Sequence, residues 1–245
     1  MRKVIWSIIL FIFTILLFWA CDSISNNDSD IKKQNDVKNE DTAYKIVIDP
    51  GHGGIDVGAT GTSGQYEKNF NLSVSKKVKE LLEKDPQMDV YMTRTDDSHL
   101  SQDSRFRPEY ANDLNADLFI SIHGNTFSDP GVSGTETLYY HKNSNLLAKI
   151  LQKHLVEATG FKDRGIKKED LFVVKDTKMP AALIEVGYLT NPQDESQMWT
   201  EDFQIRVATS FVEGIKEYKA KSEKEGKLIH YIFGFSSLLP SSKKL

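Results

Sequence analysis

Between Tyr44 and about Lys219 the chain alternates short β-branched and aromatic runs with helical patterns, and this constrains the fold more than any other feature. KIVID (45–49), DVYMT (89–93), DLFISI (117–122), TETLYY (135–140), LFVV (171–174) and ALIEV (182–186) each read as a short strand. Between them Phe70, Val74, Val78, Leu81 and Leu82 recur at helical spacing, as do Leu147, Ile150, Leu151 and Leu155, and then Val207, Phe211, Ile215 and Tyr218. Strands alternating with helices predict one α/β domain over 44–219, with a mostly parallel twisted sheet covered by helices on both faces. A span of roughly 175 residues is enough for one such core.

The flanks are of a different kind. Arg2 and Lys3 precede Val4–Ala20, a charge-free run whose polar members are Ser7 and Thr14. A positive start followed by an apolar run is an export signal or a membrane anchor, and no polar face is left for a buried globular helix. Cys21 follows the small residue Ala20, as in bacterial lipoprotein signals where this cysteine is lipidated, although Trp19 and Phe18 depart from that pattern. Residues 1–21 are therefore expected to be a signal peptide or N-terminal anchor, lipid or helical. Residues 22–43 hold Ile24, Ile31, Val37 and Ala43 as their only apolar members, too few to offset ordering entropy, and are expected to be a disordered linker. The tail 220–245 turns from charged to apolar and ends basic, without a firm reading.

Composition narrows the chemistry. Among 245 residues, 39% are hydrophobic and 27% charged, as in a globular protein, and the net charge of −4 argues against a nucleic-acid partner. A single cysteine excludes a disulfide framework and cysteine-rich zinc or iron–sulfur sites. Histidines and carboxylates remain as metal ligands.

In an α/β sheet, ligands gather where strands end and loops begin. KIVIDPGHGGIDVGATG places His52 after the first strand among glycines that let backbone approach a ligand closely. DLFISIHGN places His123 after another, whereas His99, His141, His154 and His230 lie in polar or helical surroundings and read as structural. A histidine after a strand is more often a hydrogen-bonded loop residue than a ligand; two at one kind of location raise the odds. MPAALIEVGYLTN sets Glu185 within an apolar strand, where a carboxylate needs a metal, a cation or a raised pKa unless it faces solvent from an edge strand. Glu67 stands just before a helix, where on sequence alone the helix dipole accounts for it. No intact dinucleotide fingerprint, P-loop, HExxH helix or GxSxG elbow is present.

VIDPGHGGIDVGATG, the Glu in YEKN, MTRTDD, ANDLNADLFISIHGN, SGTETLYY and MPAALIEVGYLTN stand in the order found in zinc-dependent N-acetylmuramoyl-L-alanine amidases. The chain resembles their catalytic-domain family, often called type 3 amidases, from about Lys45 to Tyr218. The resemblance implies that His52, Glu67 and His123 hold Zn²⁺ and that Glu185 is the catalytic carboxylate, which replaces the dipole reading of Glu67. It further implies a peptidoglycan substrate, cut between the lactyl group of N-acetylmuramic acid and L-alanine by zinc-activated water. Two departures stand out: Gly124 where relatives commonly have Ala, and Pro108 directly after Arg107, the residue matching a family arginine.

Such a metal lowers the pKa of bound water to about 7 and polarises a carbonyl, and Glu185 would relay the proton. A polymeric substrate calls for an open groove and an extracytoplasmic, membrane-tethered enzyme, expected to be monomeric. The alternatives are a zinc carboxypeptidase-like hydrolase of stem peptides and a non-catalytic wall-binding module.

Overall fold

A computed structural model describes residues 43–234, with side chains through residue 225. The elements run β1 (Tyr44–Pro50), α1 (Glu67–Leu82), β2 (Met88–Met92), α2 (Phe106–Asp113), β3 (Leu118–Asn125), β4 (Thr135–Tyr139), α3 (Asn145–Thr159), β5 (Asp163–Lys168), α4 (Phe172–Lys175), β6 (Ala181–Tyr188), α5 (Pro192–Met198) and α6 (Glu201–Gly234). One six-stranded sheet has the order β2-β1-β3-β6-β4-β5. The strands β2, β1, β3 and β6 are parallel to one another, β4 runs antiparallel to β6, and β5 is parallel to β4. The expected mostly parallel α/β sheet is found, with two reversed strands at one side.

Both faces are covered. Ile46 and Ile48 of β1, Ile120 and Ile122 of β3, and Ile184 of β6 face α1, α3 and α6, which contribute Phe70, Val74, Leu151, Phe203 and Phe211. On the opposite face Val47, Phe119 and Leu183 meet Ala111 of α2 and Val173 and Val174 of α4. Strands buried on both faces read as continuous apolar runs, which is why KIVI, LFISI and ALIEV were visible in sequence.

One expectation is corrected. LFVV does not form a strand: Phe172–Lys175 is a turn of helix that buries Val173 and Val174 against the sheet. Four apolar residues fit either state, and periodicity cannot separate them at that length. The sixth strand is instead DRGIKK, a charged edge strand without an apolar face, as edges that avoid further pairing are built. Pro108 lies in the first turn of α2, where an N–H has no intrahelical partner, so the helix accommodates it. The last helix also continues to Gly234, past the expected domain end at 219. Residues 1–21 and nearly all of 22–43, Cys21 included, lie outside the described residues. Among the described residues, no helix is long and apolar enough to cross a membrane.

Candidate metal centre

The carboxyl ends of β1, β3 and β6 lie side by side, and each delivers one of the residues singled out in the sequence. His52 follows β1 directly. His123 lies near the end of β3, and its register partner across the β3–β6 ladder is Glu185. Glu67 arrives from the opposite direction as the first residue of α1, the position that makes its carboxylate favourable to the helix.

Ligand atoms of His52, Glu67 and His123 all lie within 4.8 Å of one another, the one such metal-ready group among the described residues. Glu67 Oε1 is 2.9 Å from His123 Nδ1 and 3.2 Å from His52 Nε2. The two imidazoles meet edge to face, with ring centroids 4.9 Å apart. Ligand atoms bound to a tetrahedral zinc at about 2.0–2.1 Å stand about 3.3 Å apart, so these spacings and the N, N, O donor set fit that ion. Two partly exposed rings and one buried carboxylate leave the group open to solvent on one side.

The carboxylate is held from several directions. Glu67 Oε2 accepts the Ala59 N–H at 2.8 Å, while Oε1 accepts Asn71 Nδ2 at 3.1 Å and the Gly124 N–H at 3.2 Å. Burial opposes its charge, but the hydrogen bonds and charges of His123 and His52 hold its carboxyl well below the usual carboxylate range. His52 answers in kind: burial works to lower its pKa, yet Glu67 and Asp56 raise it. Asp56 Oδ1 lies 2.8 Å from His52 Nδ1, so the ring presents its Nε2 toward Glu67. A carboxylate behind a ligating imidazole is the usual way its ring orientation is fixed.

His52 has φ 60°, a left-handed conformation that a non-glycine residue adopts at a cost of about 1–2 kcal/mol. Two buried arginines hold that bend. Arg107 donates to the carbonyls of Pro50 and His52 at 2.8 Å each, and Arg94 donates to those of Pro50 at 3.0 Å and Gly51 at 2.8 Å. Gly51 itself must lack a side chain, since a Cβ there would stand 2.2 Å from His123 Nε2.

Glu185 is not on an edge strand, since β6 is flanked by β3 and β4, and the residue is half-buried. Its Oε2 is buried without a hydrogen-bond partner. Burial, reinforced by the charges of Glu67 and Glu136, pushes its pKa well above the ordinary glutamate value. Glu185 thus places a carboxyl oxygen without a hydrogen-bond partner in register with His123. On the His52 side, a cavity of about 160 Å³ opens between the site and α4, with apolar walls from Leu100, Leu171, Phe172 and Leu183.

Of the four residues expected here, His52, Glu67 and His123 converge and Glu185 lies in register beside them. Sequence reasoning missed Asp56, Asn71 and Glu136. Asn71 was findable, being four residues after Glu67 on the same helix face. The remaining histidines are structural where described: His99 bonds the Gly53 carbonyl, His141 the Lys175 carbonyl, and His154 pairs with Glu217.

Fold and site together define an α/β domain with a His–Glu–His group at the carboxyl ends of its central strands. The chain belongs to the N-acetylmuramoyl-L-alanine amidase family, whose sequence profile matches residues 46–217, and its members are peptidoglycan hydrolases. It is 39% identical over 177 residues to the Bacillus subtilis (strain 168) protein YqiI, described as uncharacterized, covering 71% of this chain and 84% of that one. It is 33% identical over 183 residues to the probable cell wall amidase LytH of Staphylococcus aureus, covering 74% of this chain and 60% of LytH. Among solved structures, the catalytic domain of CwlV, an N-acetylmuramoyl-L-alanine amidase from Bacillus (Paenibacillus) polymyxa var. colistinus, superposes with a TM-score of 0.70 at 42% identity, covering 72% of this chain and 98% of that domain. The N-acetylmuramoyl-L-alanine amidase of Clostridium difficile 630 gives 0.70 at 36% identity, covering 73% and 98%. The family resemblance carried by the sequence motifs is borne out.

Proposed function

We propose that this chain is a zinc-dependent N-acetylmuramoyl-L-alanine amidase in which His52, Glu67 and His123 hold the ion and Glu185 moves the proton. The observation that carries this reading is the convergence of three ligand atoms within 4.8 Å, with Glu185 directly in register with one ligand. When bound, zinc supplies a water of lowered pKa and a Lewis acid for the scissile carbonyl. The protein's own groups do the rest. Asp56 keeps the proton of His52 on Nδ1, and Asn71 ties Glu67 to the carbonyl of Gly51. Glu185 takes a proton from the attacking water and returns it to the alanine nitrogen as the amide breaks, a role suited to a carboxyl whose pKa is raised. The products are the lactyl carboxylate of N-acetylmuramic acid and a stem peptide with a free L-alanine amino group.

The apolar run at 4–20 and the polar linker support a tether that holds the enzyme on the outer side of the cell membrane, through lipidated Cys21 or a helix. That placement fits a wall-embedded substrate.

The test is product identification. Peptidoglycan incubated with the protein, with and without a zinc chelator, is expected to release intact stem peptides starting at L-alanine in the untreated sample alone. Release of a single C-terminal residue would instead assign a carboxypeptidase, and no release with zinc present would assign a wall-binding module.

A further inference from the structure

Beyond Glu185 the sheet edge continues into a group of charges that the hydrolysis does not use. Glu136 of β4 is the register partner of Glu185 and is buried. Its Oε1 accepts Asn125 Nδ2 at 2.6 Å and the Tyr188 hydroxyl at 3.2 Å, and its Oε2 pairs with Lys167 of β5. A second cation, Arg164, approaches the same carboxylate with its Nε at 3.7 Å, too far for a hydrogen bond, and this Nε has no partner. Two cations therefore share one carboxylate, with Lys167 in direct contact and Arg164 the more distant of the two.

Arg164 is also held in place. Its guanidinium lies over the Tyr188 ring at 5.2 Å, and its stem packs so closely on Gly134 that a Cβ there would stand 2.7 Å from Cγ. Its NH1 makes a long contact of 3.4 Å to the Ser133 carbonyl, and the side chain stays 27% exposed. The start of β5 pairs with the start of β4, and β4 is antiparallel to β6, so Arg164 sits at the catalytic edge. A partly exposed guanidinium stacked on an aromatic face is preorganised for a carboxylate.

We propose that Arg164, supported by Tyr188 and Gly134, binds a carboxylate of the stem peptide and thereby sets the direction in which substrate lies across the site. This rests on the amidase reading. The alanine nitrogen must lie at Glu185, which returns its proton. Strand β5 is two strand spacings from β6, about 10 Å. In peptidoglycan the residue after this alanine is glutamyl, with an α-carboxylate or its carboxamide. An extended chain covers about 3.5 Å per residue, which puts that group about 7 Å from the alanine nitrogen and within reach of Arg164.

The experiment compares two soluble muropeptides, identical except for a free α-carboxylate or a carboxamide on the second residue, with the full chain in detergent. The wild type is expected to prefer the carboxylate by roughly tenfold or more in kcat/KM, expressed in KM. Arg164→Gln should bring the carboxylate-to-carboxamide ratio of kcat/KM down to about one, while Arg164→Lys keeps part of the preference. Calorimetric binding of the two free stem peptides reads the same preference without hydrolysis. Hydrolysis with no carboxylate preference in either measurement overturns the proposal and leaves the amidase reading intact. Carboxylate-dependent binding that Arg164→Gln abolishes, without hydrolysis, supports the proposal and overturns the amidase reading. The wild-type comparison needs no variant, so a misfolded substitution does not protect the idea.

Discussion

Replacing Arg107 with methionine tests how the strand end that carries His52 is held. Asp49 is fully buried, and its carboxylate accepts Arg107 NH1 at 2.5 Å, Thr93 Oγ1 at 2.6 Å and Ser121 Oγ at 2.7 Å. Burial raises its pKa, but the Arg107 charge and the hydroxyl donors outweigh that and hold it below the ordinary aspartate value. Arg107→Met keeps the stem and leaves a buried carboxylate with two neutral donors, a change that costs about 3–5 kcal/mol. For a domain of this size each kcal/mol is worth about 2–4 °C, so the melting temperature should fall by roughly 10 °C. The pH dependence has a definite sign. In the wild type the depressed folded pKa contributes stability above the unfolded value of about 3.9, lost as pH falls through the folded value. In Arg107→Met burial dominates and the folded pKa rises above about 3.9, so the penalty grows as pH climbs from there. The stability gap should be widest at pH 7 and narrow toward pH 4. Urea unfolding by circular dichroism, with chelator present to remove metal linkage, measures it directly. A gap under about 1 kcal/mol at pH 7, or one equally wide at both pH values, refutes the reasoning.

Three other outcomes are expected. Gly51→Ala places a methyl 2.2 Å from His123 Nε2, so zinc bound per chain should fall sharply while circular dichroism stays native; full zinc occupancy would show that the ring has somewhere else to go. His123→Ala should likewise lose most of its metal and stay folded, because a core of this size does not depend on one ion; unchanged zinc content removes His123 from the ligand set. The intact protein should fractionate with membranes, and Cys21→Ser should change its mass and processing if lipid is the anchor, whereas a helical anchor is indifferent to it; recovery of the native full-length protein from cytosol contradicts both.

The sheet was legible where strands are buried on both faces, because Ile46 to Ile48 or Leu118 to Ile122 admit no other placement. β5 was not, since Asp163–Lys168 carries the charges an edge strand needs and no pattern that separates it from a loop. His52 and His123 could be read from position, and Glu185 from the misfit of a carboxylate in an apolar run. Glu67 could not: a glutamate at a helix start satisfies the dipole whether or not it binds metal, and only the family motif separated the two. The partners Asp56, Arg94 and Glu136 act through contacts that the fold creates. Glu136 meets Glu185 only because β4 runs antiparallel to β6, a pairing that local sequence does not encode.

Zinc stoichiometry and muropeptide release measured on one sample of Glu185→Gln test the central claim most directly. The substitution keeps the size of the side chain and removes its titrating group. Glu185 is not among the three residues whose ligand atoms converge, so on the proposed reading the variant should hold one zinc per chain. Its turnover should fall by about 10²–10⁴-fold, the usual worth of a positioned acid–base group. Lost zinc would make Glu185 a fourth ligand, and full zinc with full activity would falsify its role in the reaction.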